Sequence, residues 1–167
     1  MSAYTAALTE AMDMLAAAGA TFIGQTVRFK GTAMHQTFAN VPDAQRIEFP
    51  VAEECQLGVS IGMAVGGLLP VSIYSRFNFF LLATNQLVNH LNVYRSKVIV
   101  RVGVGSKLPM HPGPQHVGNF IGPFRVMCPN IEFSHLLHAA QVVPAYRRAL
   151  EHDGPTVLVE SMDAYNT

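Results

Sequence analysis

Charge is scarce in this 167-residue chain. Only 13% of its residues are Asp, Glu, Lys or Arg, about half the share usual in globular domains. Eleven basic residues cancel eleven acidic ones. With no basic excess, nothing points to an electrostatic nucleic-acid surface or a polybasic membrane patch. Cysteine is also scarce. Cys55 and Cys128 make neither a disulfide framework nor a zinc motif, and a reducing cytoplasm is the expected location. No apolar run approaches the roughly 18 residues of a membrane helix. The opening stretch MSAYTAALTEAMDMLAAAG has no basic leader region and carries Glu10 and Asp13, so no signal peptide is expected. Internal repeats, linkers and low-complexity tracts are missing.

What the chain has in quantity is apolar residues, 50% of the total. Either a well-filled core or surface buried against partners accounts for them. The length suits one domain spanning residues 1–167.

Helical and extended patterns alternate along the chain. Tyr4, Leu8, Ala11, Leu15 and Ala18 share a helical face that Gly19 ends. TFIGQTV reads as a short buried strand. Residues 28–45 show no period and contain Gly31, Asn40 and Pro42, so a loop is expected there, of a length that is often functional. RIEF is a strand, and EECQLGVSIGMAVGG an apolar helix ending near Gly66 and Gly67. LLPVSIY is a strand and NFFLLATNQLVNHLNVYR one long helix. KVIVRVGV is the clearest strand, nearly continuous in Val and Ile as in a sheet covered on both faces. IEFSHL and TVLVES are strands, separated by the helix AAQVVPAYRRALEHDG, in which Pro144 is awkward unless it opens a new turn. The pattern predicts an α/β fold: a three-layer, open, mostly parallel sheet with helices on both faces.

Two adjacent carboxylates, Glu53 and Glu54, stand where the charge-poor chain enters an apolar helix. First-turn acids have an ordinary explanation in the helix dipole and in capping. However, Gly58, Gly62, Gly66 and Gly67 make one side of that helix very small, so that another backbone can approach. A carboxylate at the head of such a face, buried at an interface, can give or take a proton. Spacing alone leaves both explanations open. His111, His116, His135 and His138 match no standard metal-site spacing. GVGVGS lacks the GxGxxG and lysine-bearing phosphate-loop signatures.

PVAEECQLGVSIGMAVGGLLPV, then RFNFFLLATNQLVNH, then PGPQH, resemble the pyrimidine-binding domain of transketolase-type thiamine diphosphate enzymes. Within that group they look most like the beta subunit of the 2-oxo acid dehydrogenase decarboxylase component. The matching elements are Pro50, Glu53, Gly58, Pro70, Phe77-Asn78-Phe79, Asn85-Gln86, Asn89 and Gln115-His116. They occur in the family's order and cover almost the whole chain. The resemblance implies a thiamine diphosphate-binding fold. It implies that Glu53 reaches the cofactor's aminopyrimidine across a subunit interface and hydrogen-bonds its N1′, promoting activation. Phe79 is implied to stack on that ring, although spacing alone fits a core Phe equally well. His116 is implied to lie near the substrate entrance and handle protons. A register one residue off would exchange Glu53 and Glu54.

Two departures stand beside the resemblance. The diphosphate- and magnesium-binding segment of the family, roughly Gly-Asp-Gly followed by Asn, is missing. Magnesium and the diphosphate are therefore expected on a separate partner chain, with a homodimer or an α2β2-type assembly, and no metal ligand is expected here. Gln25 occupies the place of a Glu that commonly helps orient the catalytic Glu. It is expected beside the cofactor with Glu53. The functional expectation is a pyrimidine-binding subunit of a split thiamine diphosphate enzyme, inactive without its partner, in 2-oxo acid decarboxylation and acyl transfer. Transketolase-like two-carbon transfer is the alternative, and a non-catalytic scaffold that kept the fold is another.

Overall fold

The computed structural model describes residues 1–105 and 113–166, with the side chain of residue 166 left aside. Six strands form one sheet: β1 (Thr21–Gly24), β2 (Arg46–Glu48), β3 (Pro70–Tyr74), β4 (Ile99–Val104), β5 (Glu132–Leu136) and β6 (Thr156–Ser161). Their order is β2-β1-β3-β4-β6-β5. Every neighbouring pair is parallel, so every connection crosses over and the helices must cover both faces. The α/β architecture read from the alternating pattern is the one observed.

The two faces divide the core. On one side, α1 (Ala3–Ala17) and α6 (Ala139–Glu151) bury Leu8, Leu15, Val142 and Tyr146 against Phe22, Ile73, Ile99 and Leu158. On the other side lie α2 (Glu53–Val65), the helical stretch from Phe77 to Tyr94, and α5 (Ile121–Met127). These bury Leu57, Phe80, Leu87 and Phe124 against Val100, Val102, Val157 and Val159. The near-continuous Val and Ile of β4 and β6 are what a strand covered twice requires. α1 begins where the Ser2 hydroxyl accepts the Thr5 N–H at 3.1 Å, an N-cap. It ends at Gly19, whose φ of +82° is a left-handed conformation suited to glycine.

Three expectations need correction, and one helix, α5, was not anticipated. TFIGQTV is strand only to Gly24, because the chain turns at Thr26, φ +58°. Residues 28–45 are not a plain loop: 3₁₀ turns form at Ala33–Phe38 and Asp43–Gln45, and Met34, Thr37 and Phe38 are buried under α1. α5 lies in a stretch without a clear helical period. The expected long helix is broken into α3 (Phe77–Phe80), a 3₁₀ turn (Leu81–Ala83), a π-helical section (Gln86–Leu91) and α4 (Asn92–Tyr94). The cause lies in residue spacing. The buried residues Phe77, Phe80 and Ala83 recur every three positions, then Ala83, Leu87 and Leu91 every four. Tight 3₁₀ winding keeps the first set on the core and wide π winding keeps the second. Helix α6 runs straight through Pro144.

A buried charge network crosses the α1/α6 side. Arg101, in the middle of β4, is fully buried. Its Nε and one terminal nitrogen donate to the two oxygens of Glu160 on β6 at 2.7 and 3.1 Å. It also donates to Thr37 Oγ1 and to the Tyr165 hydroxyl, both at 2.9 Å, and its guanidinium lies over the Phe38 ring. Tyr146 donates to Glu160 at 2.5 Å, and Tyr165 donates to its other oxygen. Burial alone would lower the Arg101 guanidinium, but Glu160 and the two phenols hold it well above the usual arginine range. Among the described residues no helix is long and apolar enough to cross a membrane.

Candidate active site

In an open parallel sheet, ligands gather at the carboxyl ends of the strands. The sequence-derived residues fall at that end. Gln25 directly follows β1, and Phe79 sits in α3, just after β3. Glu53 opens α2 and His116 ends a 3₁₀ turn at Pro114–His116. His111 lies outside the described residues.

Glu53 is only 4% exposed, while its neighbour Glu54 points to solvent. Gln25 Nε2 donates to Glu53 Oε1 at 3.2 Å. Among the described residues Gln25 is the sole hydrogen-bond partner of that carboxylate, which leaves Oε2 for a ligand. The N-cap of α2 is Ala52, with no side-chain cap. Two acids in that first turn are favoured by the helix dipole. Gln56, one turn on, is fully buried. Its Nε2 lies 3.0–3.3 Å from Ile73 O, Ser72 Oγ and Ile23 O, pinning α2 across β1 and β3. The Tyr74 hydroxyl donates to the Glu53 carbonyl at 3.4 Å and accepts from Ser72 Oγ at 3.1 Å. Burial pushes that hydroxyl well up, and the Glu53 charge adds to the rise. A pocket of about 580 Å³ opens beside the carboxylate, lined by Ala52, Glu53, Glu54, Cys55, Leu82 and Gln86. Glu54 accepts from Asn85 Nδ2 at 2.9 Å, a surface contact.

The close approach of β1 and β3 explains Gly24. A Cβ there would lie 2.4 Å from the Ile73 carbonyl oxygen, so a side chain would push Gln25 away from Glu53.

Phe79 and His116 form a second pair. Their rings meet edge to face, with centroids 5.4 Å apart. Phe77 and Phe80 are fully buried while Phe79 is half-buried, so the core role falls to its neighbours. Among the described residues His116 Nδ1 is buried without a hydrogen-bond partner, which leaves it open to a ligand or water. Asn78 Oδ1 accepts the Gly118 N–H at 3.0 Å and fastens the chain after His116 to α3. The structure thus brings the four residues together as two pairs, Gln25 with Glu53 and Phe79 with His116. His138 caps α6 in a box with Gln141, and His135 lies in β5, lowered by burial. Among the described residues no group of three or more His, Cys, Asp or Glu is placed to hold a metal ion.

Sequence reasoning missed Gln56 and Tyr74. The available signal was a lone amide on the buried face of an apolar helix, and a Tyr ending a strand whose other residues are buried. The small-residue face expected at an interface is only partly open among the described residues, since Gly58 lies against Gln86. A Cβ at Gly62 would meet nothing within 4 Å, and Val59, Val65 and Leu68 beside it are exposed.

Three comparisons complete the description. The family described as transketolase, pyrimidine binding domain, matches residues 1–167. The 1-deoxy-D-xylulose-5-phosphate synthase of Synechococcus sp. (strain CC9605) is 33% identical over 135 residues, covering 77% of this chain and 19% of the relative. The same synthase from Prochlorococcus marinus (strain MIT 9303) is 30% identical over 163 residues, covering 93% of this chain and 24% of the relative. The chain thus spans only about a fifth to a quarter of these relatives. Among solved structures, a split-gene transketolase described as an inactive beta4 tetramer superimposes with a TM-score of 0.74 at 17% identity, covering 95% of this chain and 50% of that one. At that identity the likeness is one of fold.

Proposed function

The chain belongs to the transketolase pyrimidine-binding domain family, and from that premise we propose that it supplies the pyrimidine half of a thiamine diphosphate site. The other half, with magnesium and the diphosphate, belongs to a separate chain. The observation that carries this is Glu53: a nearly buried carboxylate at the carboxyl end of the sheet, oriented by Gln25 through one oxygen and beside a pocket. Such a group fits the ring nitrogen of an aminopyrimidine, because a desolvated carboxyl–nitrogen hydrogen bond is short and charge-assisted. The half-buried Phe79 ring and the orphan His116 Nδ1 fit the same cofactor and its substrate.

When bound, thiamine diphosphate supplies a nucleophilic carbon that adds to and cleaves 2-oxo substrates. This chain's residues have narrower tasks. Glu53 holds and returns a proton at the ring nitrogen. Gln25, as an amide, orients Glu53 by donating a hydrogen bond. Phe79 offers an aromatic wall, and His116 moves protons for the reacting substrate. Two-carbon transfer of the transketolase kind is supported by the relatives, named synthases of a deoxypentulose phosphate, and 2-oxo acid decarboxylation is the second reading.

Isothermal titration with thiamine diphosphate and Mg²⁺ tests the shared site. The chain alone should bind weakly, and the chain mixed with a diphosphate-binding partner tightly. Tight, magnesium-dependent binding by the chain alone would sink the split-site reading. No binding by the mixture would sink the cofactor.

The exposed side of α2 and the turn after it, with Gly62 and Gly66 beside Val59, Val65 and Leu68, is the natural seat of an assembly contact, as a homodimer or with the partner chain. Gly62→Leu fits the chain by itself, since none of the described residues lies within 4 Å of that Cβ. The variant should therefore fold as well as wild type yet associate more weakly by about 1–3 kcal/mol, the usual cost of overpacking a close contact. Sedimentation of both proteins with the partner present decides this; unchanged association would place the interface elsewhere.

A further inference from the structure

The loop after β1 is wrapped around a carboxylate to which the function above gives no role. Four consecutive backbone N–H groups point at Glu48 on edge strand β2. Thr26 N donates to Oε1 at 2.6 Å, while Val27, Arg28 and Phe29 N donate to Oε2 at 3.0, 2.8 and 3.4 Å. Successive N–H groups converging in this way make a concave anion-binding nest, here filled by the protein's own side chain. Closing it puts Thr26, a β-branched residue, at φ +58°. Such a conformation persists only where its surroundings over-determine it. The surroundings here do so. Thr26 Oγ1 meets Thr32 Oγ1 at 2.8 Å, His35 Nε2 lies 3.2 Å from Arg28 O, and Arg46 donates to Val27 O at 3.2 Å.

Gln25 is the single residue between this clamped loop and the sheet. On its other side Gly24 is paired with Glu48 and Ile73, and its carbonyl accepts Phe49 N–H at 2.9 Å. With its backbone held at both ends, Gln25 has little freedom except at its side chain, which donates to Glu53. We propose that Glu48 is a positioning residue for Glu53, acting through the 26–29 loop and Gln25. Its significance for catalysis rests on the reading that Glu53 activates the cofactor. A carboxylate serves all four N–H groups, whereas an amide at position 48 keeps one acceptor oxygen and turns its NH₂ either to Thr26 N–H or to the other three.

The test uses the ¹⁵N-labelled full chain, free of cofactor, and reads the Gln25 side-chain amide by NMR, assigned by its loss in Gln25→Leu. In wild type, Glu53→Ala should move this signal, because its acceptor is gone. Glu48→Gln should move it most of the way to the same position. Glu48→Gln combined with Glu53→Ala should move it no further, the non-additivity expected of groups acting through one contact. Backbone amides 26–29 should exchange at least about tenfold faster in Glu48→Gln. Glu48→Asp, which keeps the charge but is one methylene shorter, should give an intermediate displacement, and it serves if the Gln variant does not fold. If the Gln25 amide stays at its wild-type position in both Glu48 variants, the proposal falls, even if loop exchange rises, because Glu48 would then only cap the loop. Normal cofactor activation by Glu53→Gln would instead sink the functional reading and leave this coupling standing.

Discussion

Glu53→Gln, assembled with its diphosphate-binding partner, is expected to slow exchange of the cofactor's thiazolium proton by roughly 10²–10⁴-fold, the range typical of general acid–base groups. The fold and assembly should survive, because the amide is nearly isosteric and can still accept from Gln25 Nε2 at its carbonyl oxygen. An amide cannot shuttle a proton, so the loss should be chemical. Glu54→Gln is the internal control. Its side chain is exposed and bonded to Asn85, so it should change the rate little. Deuterium-quench measurement of exchange in wild type and both variants decides the roles. Equal exchange in wild type and Glu53→Gln would show that the carboxylate activates nothing. Slow exchange in Glu54→Gln alone would transfer the role to its neighbour.

Arg101→Met should lower stability by about 3–5 kcal/mol, because it leaves the Glu160 charge buried without its ion partner. For a domain of this size that corresponds to a Tm lower by roughly 6–20 °C. Glu160→Leu added to it should recover part of the loss, since replacing both partners removes the unpaired charge. Denaturant unfolding of the two single variants and the double variant measures this; additive losses would show that the pair is uncoupled. The same cluster fixes the behaviour in alkali. Burial first, and then Glu160, hold the Tyr146 and Tyr165 phenols well above their usual value of 10.0, with Arg101 partly opposing. The unfolded chain gives up these protons at the ordinary value. This contribution to stability is therefore complete below about pH 10 and is lost as the pH rises above it. Phenolate absorbance from these residues should appear together with loss of folded structure.

Some of this was legible in the chain and some was not, for reasons particular residues make clear. β4 and β6 announce themselves because strands covered on both faces need unbroken Val and Ile. Glu53, Phe79 and His116 were singled out through a register of motifs, since their types alone fit ordinary structural roles equally well. Gln25 was singled out by a departure from the family pattern, and its bond to Glu53 spans 28 positions. The Arg101–Glu160 pair spans 59. A charge inside VIVRVGV was visible, but local pattern does not reveal which distant strand answers it. Glu48 offered even less, since an acid on an edge strand usually faces water. Its partners are backbone N–H groups, which every residue except proline carries.

The broken helix from Phe77 to Tyr94 works as a vernier. Its 3₁₀ part advances faster in angle per residue than an α-helix, and its π part advances more slowly. One gains the rotation that the other gives back. Phe77 and Leu91 consequently both reach the core, while Phe79 faces His116 and Gln86 faces the Glu53 pocket. The length of this segment is therefore under the same constraint as its composition. Removing one residue from Gln86–Leu91 with the winding unchanged would swing every side chain beyond the deletion about a quarter of a turn, and the segment escapes this only by closing to α winding, in which five residues turn about as far as six in the π form.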